Sequence, residues 1–228
     1  MSPDAPAQPG PDLSHVDTWI FDLDNTLYPP ERELLSLVDE RMTAFMIRET
    51  GLGWPEARAL QRRYHDEHGT TLAGLMAHHG VEPTAFLDEV HDIELDRLSP
   101  DLELDAALAR LPGRRLVFTN GSARHAERVL EALGVAARFS EVFHIEAADY
   151  IPKPRPEAFQ ALLRGHAVQP RSSAFFEDLA RNLEPAAALG MTTVLVGPDA
   201  LASTAAFVHH RAESLVPFLM SSRLGGAA

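Results

Sequence analysis

Cysteine is absent from the 228-residue sequence, which excludes disulfides, thiolate zinc sites and a cysteine nucleophile. Long apolar runs are also missing, since no stretch approaches the roughly 18 residues that a membrane-spanning helix needs. The first residues have neither the basic nor the apolar region of a secretory signal. We therefore expect a cytoplasmic protein without membrane spans.

Basic residues are few: 20 Lys and Arg stand against 33 Asp and Glu, for a net charge of −13. This balance argues against binding to nucleic-acid polymers or anionic membranes, because both need basic patches. Every basic residue but one is arginine, and the single lysine is Lys153. A compact ammonium fits a tight site that a larger, planar guanidinium does not fit, so Lys153 is a candidate functional residue.

Apolar residues make up 45% of the chain, the share of an ordinary globular protein. The proline-rich residues 1–14 read as a disordered tail. Residues 31–97 show only helical patterns, with Pro55 and Pro83 each beginning a helix. We expect a helical insert at 31–97 within a core domain formed by 15–30 and 98–228.

Short apolar strands and helices alternate through the rest of the chain. Predicted strands lie at 16–21, 115–119, 142–145, 173–177 and 193–196. Predicted helices separate them, at 102–111, 123–133, 156–165 and 182–189. This order predicts an α/β fold with a parallel sheet covered on both faces.

Polar residues follow four of these segments, where parallel α/β sheets bind ligands. They are Asp22 and Asp24 after the first strand, Thr119, Asn120 and Gly121 at the end of the second, Lys153 in the loop after the third, and Glu177 with Asp178 at the end of the fourth. Asp22 and Asp24 are two residues apart, which turns their carboxylates the same way in an extended chain. With Asp178 and Glu177 they form a hard-oxygen ligand set that suits Mg²⁺.

The segments FDLDNTL, VFTNG, PKP and FFEDLARN resemble, in order and spacing, the four motifs of the haloacid dehalogenase superfamily. The resemblance covers nearly all of the chain after about Val16. It implies a Rossmann-like core with an inserted cap, here of the helical type. A helical insert just after the first motif agrees with that arrangement.

The resemblance also implies roles for these residues. Asp22 would be the nucleophile and Asp24 the general acid and base, while Lys153 would neutralise Asp22 and the transferring phosphoryl group. Thr119, the Asn120 amide and Gly121 would hold the phosphate. Mg²⁺ would be bound by Asp22, the main-chain carbonyl of Asp24 and Asp178, with Glu177 as a further ligand or an orienting residue. The product would be inorganic phosphate.

A closer resemblance links FDLDNTLYP, residues 117–130 and the cap segment 64–75 to pyrimidine 5′-nucleotidases of this superfamily, which act on UMP and CMP. This predicts a small phosphorylated metabolite, a nucleoside monophosphate, as the substrate. Arg63, Thr70 and Thr71 are candidate cap contacts to it. Tyr28, beside the hinge, has either a packing or a substrate-facing role.

Other readings stay open at this stage. A sugar phosphomutase or another small-molecule phosphatase shares all four motifs and the cap type, and only the cap segment discriminates between them. A haloacid dehalogenase would need neither Mg²⁺ nor Asp24, so the retained Asp24 and Glu177–Asp178 pair argue against it. The oligomeric state does not follow from the sequence.

Overall fold

Parallel β-strands form the centre of the computed structural model, which describes residues 10–226. The strands in chain order are β1 (Asp12–Leu13), β2 (Thr18–Phe21), β3 (Arg114–Phe118), β4 (Glu141–Phe143), β5 (Ser173–Glu177), β6 (Thr192–Val196), β7 (His210–Ala212) and β8 (Arg223–Leu224). Strands β2 to β7 form one six-stranded sheet in the order β4-β3-β2-β5-β6-β7. All neighbouring pairs in this sheet are parallel, as the alternating pattern predicts.

Helices connect the strands and cover the sheet. They are α1 (Leu34–Thr50), α2 (Trp54–His68), α3 (Thr71–His79), α4 (Pro83–Val90), α5 (Leu102–Ala109), α6 (Ala123–Ala132), α7 (Pro156–Gly165), α8 (Ala180–Ala188) and α9 (Leu215–Ser221). No helix in the described range 10–226 is both long and apolar enough to cross a membrane.

Two apolar clusters show that both faces of the sheet are covered. Successive residues of a strand point to opposite faces, so Trp19 and Phe21 join one cluster while Ile20 joins the other. The first cluster includes side chains from α5, α6 and α9, and the second includes side chains from α7 and α8. The central strands are buried on both faces, which explains why they read as continuous apolar runs.

Helices α1 to α4 lie between β2 and β3 in the sequence and form a cap that packs on itself. Helix α1 contacts both α2 and α4, and α2 contacts α3. Gly69 ends α2 with a positive φ of 88°, and the Thr70 hydroxyl then accepts from the Ala73 N–H to begin α3. The turn between α2 and α3 is therefore sharp. The cap boundaries given above as 31 and 97 stay a prediction.

Three details differ from the sequence-based expectations. Strand β1 falls in the predicted tail but pairs with β8, so residues 12–13 are ordered, while residues 1–9 lie outside the described residues. The short strand β7 shows only a three-residue signal and was not predicted. The helical pattern expected up to residue 97 also ends early: helix α4 ends at Val90, where the chain turns and His91 lies against Ser122.

Candidate active site

The carboxyl ends of β2, β3 and β5 meet at one edge of the sheet, and the predicted motif residues follow them. The strand register sets Phe21 opposite both Val117 and Phe176, so these strands end level with one another. The Asp22 N–H donates to the Phe176 carbonyl (2.9 Å) and extends this pairing by one residue. The prediction that the motifs converge is therefore confirmed by the fold.

Three carboxyl groups are crowded at this edge. Single oxygens of Asp22, Glu177 and Asp178 all lie within 4.8 Å of one another. Burial, with the Glu177 charge, raises the pKa of Asp22, although Lys153 opposes this. Burial also raises the pKa of Asp178, and the charges of Glu177 and Asp22 add to the effect. The cluster therefore has more negative charge than its protein partners compensate.

Lys153 lies inside this cluster. Its Nζ donates to Asp22 Oδ1 (2.6 Å), the Phe118 carbonyl (2.8 Å) and Glu177 Oε1 (3.0 Å). The residue is 2% exposed, and its Nζ lies 5.1 Å from the centroid of the Phe118 ring. Burial alone would lower the Lys153 pKa, but the Asp22 and Glu177 carboxylates raise it above its ordinary value. Lys153 therefore stays an ammonium and uses all three donors.

Glu177 positions Lys153 through a carboxylate whose oxygens both have protein partners. Oε1 accepts from Lys153 and from the Asn182 amide, and Oε2 accepts from the Leu179 N–H (2.6 Å). The side chain is 1% exposed. Of the two roles expected for Glu177, this geometry favours orientation, and Asp22 and Asp178 are the more exposed carboxylates of the cluster.

Two neighbours hold the Asp24 carboxylate. The Tyr28 hydroxyl donates to Asp24 Oδ1 (2.5 Å), and His125 Nε2 lies 2.8 Å from the same oxygen. Burial alone would raise the Asp24 pKa, but the charge and hydrogen bond of His125 and the Tyr28 hydroxyl outweigh it and lower the pKa to about 2. Asp24 is thus a carboxylate in the free protein, with its side chain fixed between two ring systems.

A second histidine lies behind the first. The His91 ring stacks on the His125 ring with centroids 4.5 Å apart, and His91 Nδ1 lies 3.0 Å from the Ser122 hydroxyl. Ser122 also caps helix α6 by accepting from the His125 N–H (3.2 Å). Burial, followed by the charge of His125, lowers the His91 pKa to about 3. His91 is therefore neutral and supports His125 from the cap side.

The loop after β3 is shaped by hydrogen bonds of its own. The Asn120 carboxamide accepts from the Lys153 N–H (2.8 Å) and donates to the Lys153 carbonyl (3.2 Å). The side chain of Asn120 therefore positions Lys153, and its carboxamide is used by the Lys153 backbone. A Cβ on Gly121 would lie 3.1 Å from the His125 ring and 3.2 Å from Thr119 Oγ1, so a larger residue here would crowd both side chains.

A cavity of about 460 Å³ joins these groups to the cap. Cap residues that line it include Leu35, Val38, Asp39, Met42, Arg58, Gln61, Arg62, His65, Thr70 and Thr71. Thr70 and Thr71 thus lie where the sequence predicts. Arg63 does not line the cavity: its guanidinium lies over the Tyr64 ring at 5.8 Å, and the neighbouring turns of α2 present Arg58 and Arg62 instead.

The donor set at the sheet edge fits a hard divalent cation. All of the clustered ligand atoms are carboxylate oxygens, and the pKa values of Asp22 and Asp178 are raised by burial and, in addition, by the negative charges beside them. A bound cation would relieve that repulsion, and oxygen ligands of this kind are those that Mg²⁺ prefers. The residues present therefore agree with the metal use typical of this kind of site.

The architecture defines a class of proteins: a parallel α/β core with an acidic, lysine-bearing site at its carboxyl edge and a helical cap over it. Within this class, a model of the haloacid dehalogenase-like hydrolase family matches residues 16–190. The match spans most of the chain and includes all four motif segments. The chain therefore belongs to the haloacid dehalogenase-like hydrolases.

Individual proteins that resemble this chain share less than a third of its residues. The chain is 27% identical over 209 residues to Phosphate metabolism protein 8 of Saccharomyces cerevisiae, covering 84% of this chain and spanning 64% of that protein. An HAD phosphatase from Thermococcus onnurineus shares the fold with a TM-score of 0.59 at 15% identity, over 87% of this chain and 94% of that one. A 2-haloacid dehalogenase from Pseudomonas syringae pv. Tomato also shares the fold, with a TM-score of 0.57 at 19% identity. The similarity covers 90% of this chain and 98% of that one. At these identities the structural similarities show the fold alone.

Two of the residues that support the site carry little signal in the sequence. His125 was noted only as part of a resemblance, yet it contacts Asp24 across 101 residues of sequence. Asn182, five residues after Glu177, was not singled out either. The position of His125 does carry a signal in the sequence. The residue lies in the first turn of the helix that follows a motif strand, and that turn is at the same edge of the sheet as the motif residues.

Proposed function

We propose that this hydrolase is a Mg²⁺-dependent phosphatase that cleaves a phosphate monoester through an aspartyl-phosphate on Asp22. The single observation that carries the proposal is the pairing of Asp22 with Lys153 beside an Asp24 held by His125 and Tyr28. A nucleophile, a cation for the transferring group and a separate acid–base are thus present in one cavity. Mg²⁺, held by Asp22, Asp178 and the Asp24 carbonyl, would withdraw charge from the phosphate oxygens.

In the first step an Asp22 carboxylate oxygen attacks phosphorus, and the bond from phosphorus to the ester oxygen breaks. Asp24 gives its proton to the leaving alkoxide. Asp24 is ionised in the free protein, so it must take up a proton before this step. The negative charge of a bound phosphate favours that uptake, because a like charge raises a carboxyl pKa.

In the second step Asp24 is again a carboxylate and takes a proton from water, and the water oxygen attacks phosphorus. The bond from phosphorus to Asp22 breaks, which releases inorganic phosphate and restores both carboxyl groups. Lys153 donates throughout to Asp22 and is placed to stabilise the charge on the transferring group. Thr119 and the main-chain amide of Asn120 hold the phosphate oxygens, while the Gly121 N–H donates to the Thr119 hydroxyl oxygen (2.9 Å) and orients it.

We further propose a pyrimidine 5′-nucleotide, UMP or CMP, as the substrate. A cavity of about 460 Å³ suits a small metabolite, and its cap end has both apolar and polar walls. The net charge of −13 disfavours a nucleic-acid polymer as substrate. The name of the yeast relative refers to phosphate metabolism, which is compatible with this class of substrate.

A substrate panel tests both parts of this proposal. Phosphate release is measured for UMP, CMP, AMP, GMP and several sugar phosphates, with Mg²⁺ and with EDTA. Asp22→Asn should abolish release, whereas Asp199→Asn should not, because Asp199 is an exposed aspartate after β6. We expect UMP and CMP to be preferred, with no release in EDTA. Preference for a sugar phosphate, or its isomerisation without release, would replace the nucleotide reading with a phosphatase of other specificity or a phosphomutase.

A further inference from the structure

Two cap helices face the cavity with opposite character. Helix α1 presents residues at the i, i+3, i+4 and i+7 spacing of a single helix face, and so does α2. The α1 face is apolar apart from one carboxylate, and it consists of Leu35, Val38, Asp39 and Met42. The α2 face is polar throughout and consists of Arg58, Gln61, Arg62 and His65. The cavity thus has an apolar wall with one acceptor beside a polar wall, on two helices that contact each other.

The one carboxylate on the apolar face is held by a buried network. Gln61 Nε2 donates to Asp39 Oδ1 (2.9 Å), and Gln61 Oε1 accepts from the Thr43 hydroxyl (2.7 Å). Thr43 is 0% exposed and Gln61 is 6% exposed. Burying two polar side chains in a small helical cap costs free energy unless each is fully paired. The network pairs Thr43 with Gln61, and the remaining bond of Gln61 fixes the direction of the Asp39 carboxylate.

The Asp39 carboxylate is fixed in direction and is also accessible from the cavity. The residue is exposed and lines the cavity, and its other oxygen, Oδ2, is not part of the bond with Gln61. Burial raises the pKa of Asp39, while the nearby Arg58 charge lowers it. Asp39 and Arg58 both line the cavity, on helices that contact each other, so a carboxylate acceptor and a guanidinium donor are available at its cap end. A planar ring with an N–H beside a carbonyl oxygen complements such a pair.

We propose that Asp39 is a specificity-determining residue that accepts a hydrogen bond from the ring N–H of a pyrimidine base, while Arg58 donates to the adjacent ring carbonyl. Uracil offers N3–H beside a ring carbonyl for this pair of contacts. Cytosine offers its amino group instead, and its ring nitrogen N3 takes the place of the carbonyl as the acceptor for Arg58. The apolar residues of α1 contact the face of the ring. This inference rests on the proposed nucleotidase function and adds the residues that read the base.

The test compares substrates with and without a base. The ratio of kcat/KM for UMP to that for ribose 5-phosphate is measured in the full-length protein and in Asp39→Ala. We expect the ratio to fall about 10- to 100-fold, the scale of one hydrogen bond to a charged group. Glu40→Ala is the matched control, because it removes the same charge from the next residue of α1, whose side chain faces a separate groove beside Trp54. This control should keep the wild-type ratio.

A modified substrate identifies the atom that Asp39 reads. UMP methylated at ring N3 has no donor there, so wild type should prefer UMP to it strongly, and Asp39→Ala should lose most of that preference. Thr43→Val tests the network without touching the cavity: it removes the hydroxyl that holds Gln61 and should raise KM for UMP more than it lowers kcat. If circular dichroism shows that Asp39→Ala does not fold, Thr43→Val replaces it as the test of the inference.

The outcomes separate this inference from the proposed function. If wild type prefers UMP to ribose 5-phosphate and Asp39→Ala keeps the wild-type ratio, the role of Asp39 is wrong and the nucleotidase proposal stands. If wild type hydrolyses ribose 5-phosphate as well as UMP, the nucleotide specificity is wrong, and the Asp39 inference is overturned with it.

Discussion

Lys153→Arg keeps the positive charge at the centre of the site and changes only its shape. The ammonium makes three short bonds, to Asp22, the Phe118 carbonyl and Glu177, within a fully buried space. Rings of Phe118 and Phe175 bound that space, with centroids 5.1 and 5.4 Å from Nζ. A guanidinium is larger and planar, and it cannot place one nitrogen at all three acceptors.

The expected effects are of two sizes. Loss of one preorganised contact to the transferring group lowers kcat by about 10²- to 10³-fold. Overpacking of a closed site costs about 1–3 kcal/mol of the free energy of unfolding. In a protein of this size each kcal/mol lowers Tm by about 2–4 °C. We therefore expect a folded variant with a moderately lower Tm and very little activity.

Steady-state hydrolysis of UMP and a thermal melt measure the two effects. Arg155→Lys is the matched control, because it makes the reverse exchange two residues away at an exposed side chain near Glu157. The control should match wild type in both assays. A Lys153→Arg enzyme with wild-type kcat would refute the reasoning, since it would show that the site needs the charge and not the compact ammonium.

Three further predictions follow from the same geometry. Asp24→Asn should lower kcat for UMP by about 10²- to 10⁴-fold, the usual contribution of a general acid, and a substrate with a very good leaving group should be affected less. Tyr28→Phe removes the hydroxyl that donates to Asp24, so we expect a several-fold loss in kcat with little change in KM, and an unchanged kcat would assign Tyr28 to packing. The pKa values of Asp22 and Asp178 are raised, so the folded state keeps protons that the unfolded state releases, and metal-free stability is lost as pH rises through those values. Mg²⁺ must displace the same protons, so its gain in Tm should be larger at about pH 8 than at about pH 6, and an equal gain at both would contradict the assignment of these ligands.

Most of the core could be predicted because its signals are local. The buried strand before Asp22 is a continuous apolar run, and Pro156 marks the first residue of α7. Chemistry-bearing residues at strand ends must converge in a parallel sheet, so the positions of Asp22, Lys153 and Asp178 followed from topology. Strand β7 could not be found in this way, since three residues with mixed exposure give no periodic signal.

The supporting contacts of the site depend on distances that periodicity does not contain. His125 is recognisable as a residue of an amphipathic helix, but its contact with Asp24 depends on how α6 is rotated over β3. Asn120 is of a residue type that often binds phosphate, yet its side chain forms hydrogen bonds with the backbone of Lys153. Arg63 failed as a cavity residue because one step along a helix turns a side chain by about 100°.

The phosphorylation state of Asp22 during turnover tests the central claim most directly. The enzyme is mixed with UMP and Mg²⁺, quenched in acid within one turnover, digested and analysed by mass spectrometry. We predict a peptide that contains Asp22 and carries one phosphoryl group, which hydroxylamine removes and which is absent from Asp22→Asn. Rapid phosphate release in wild type with no phosphorylated Asp22 at any quench time, or with the phosphoryl group on another residue, would contradict the account.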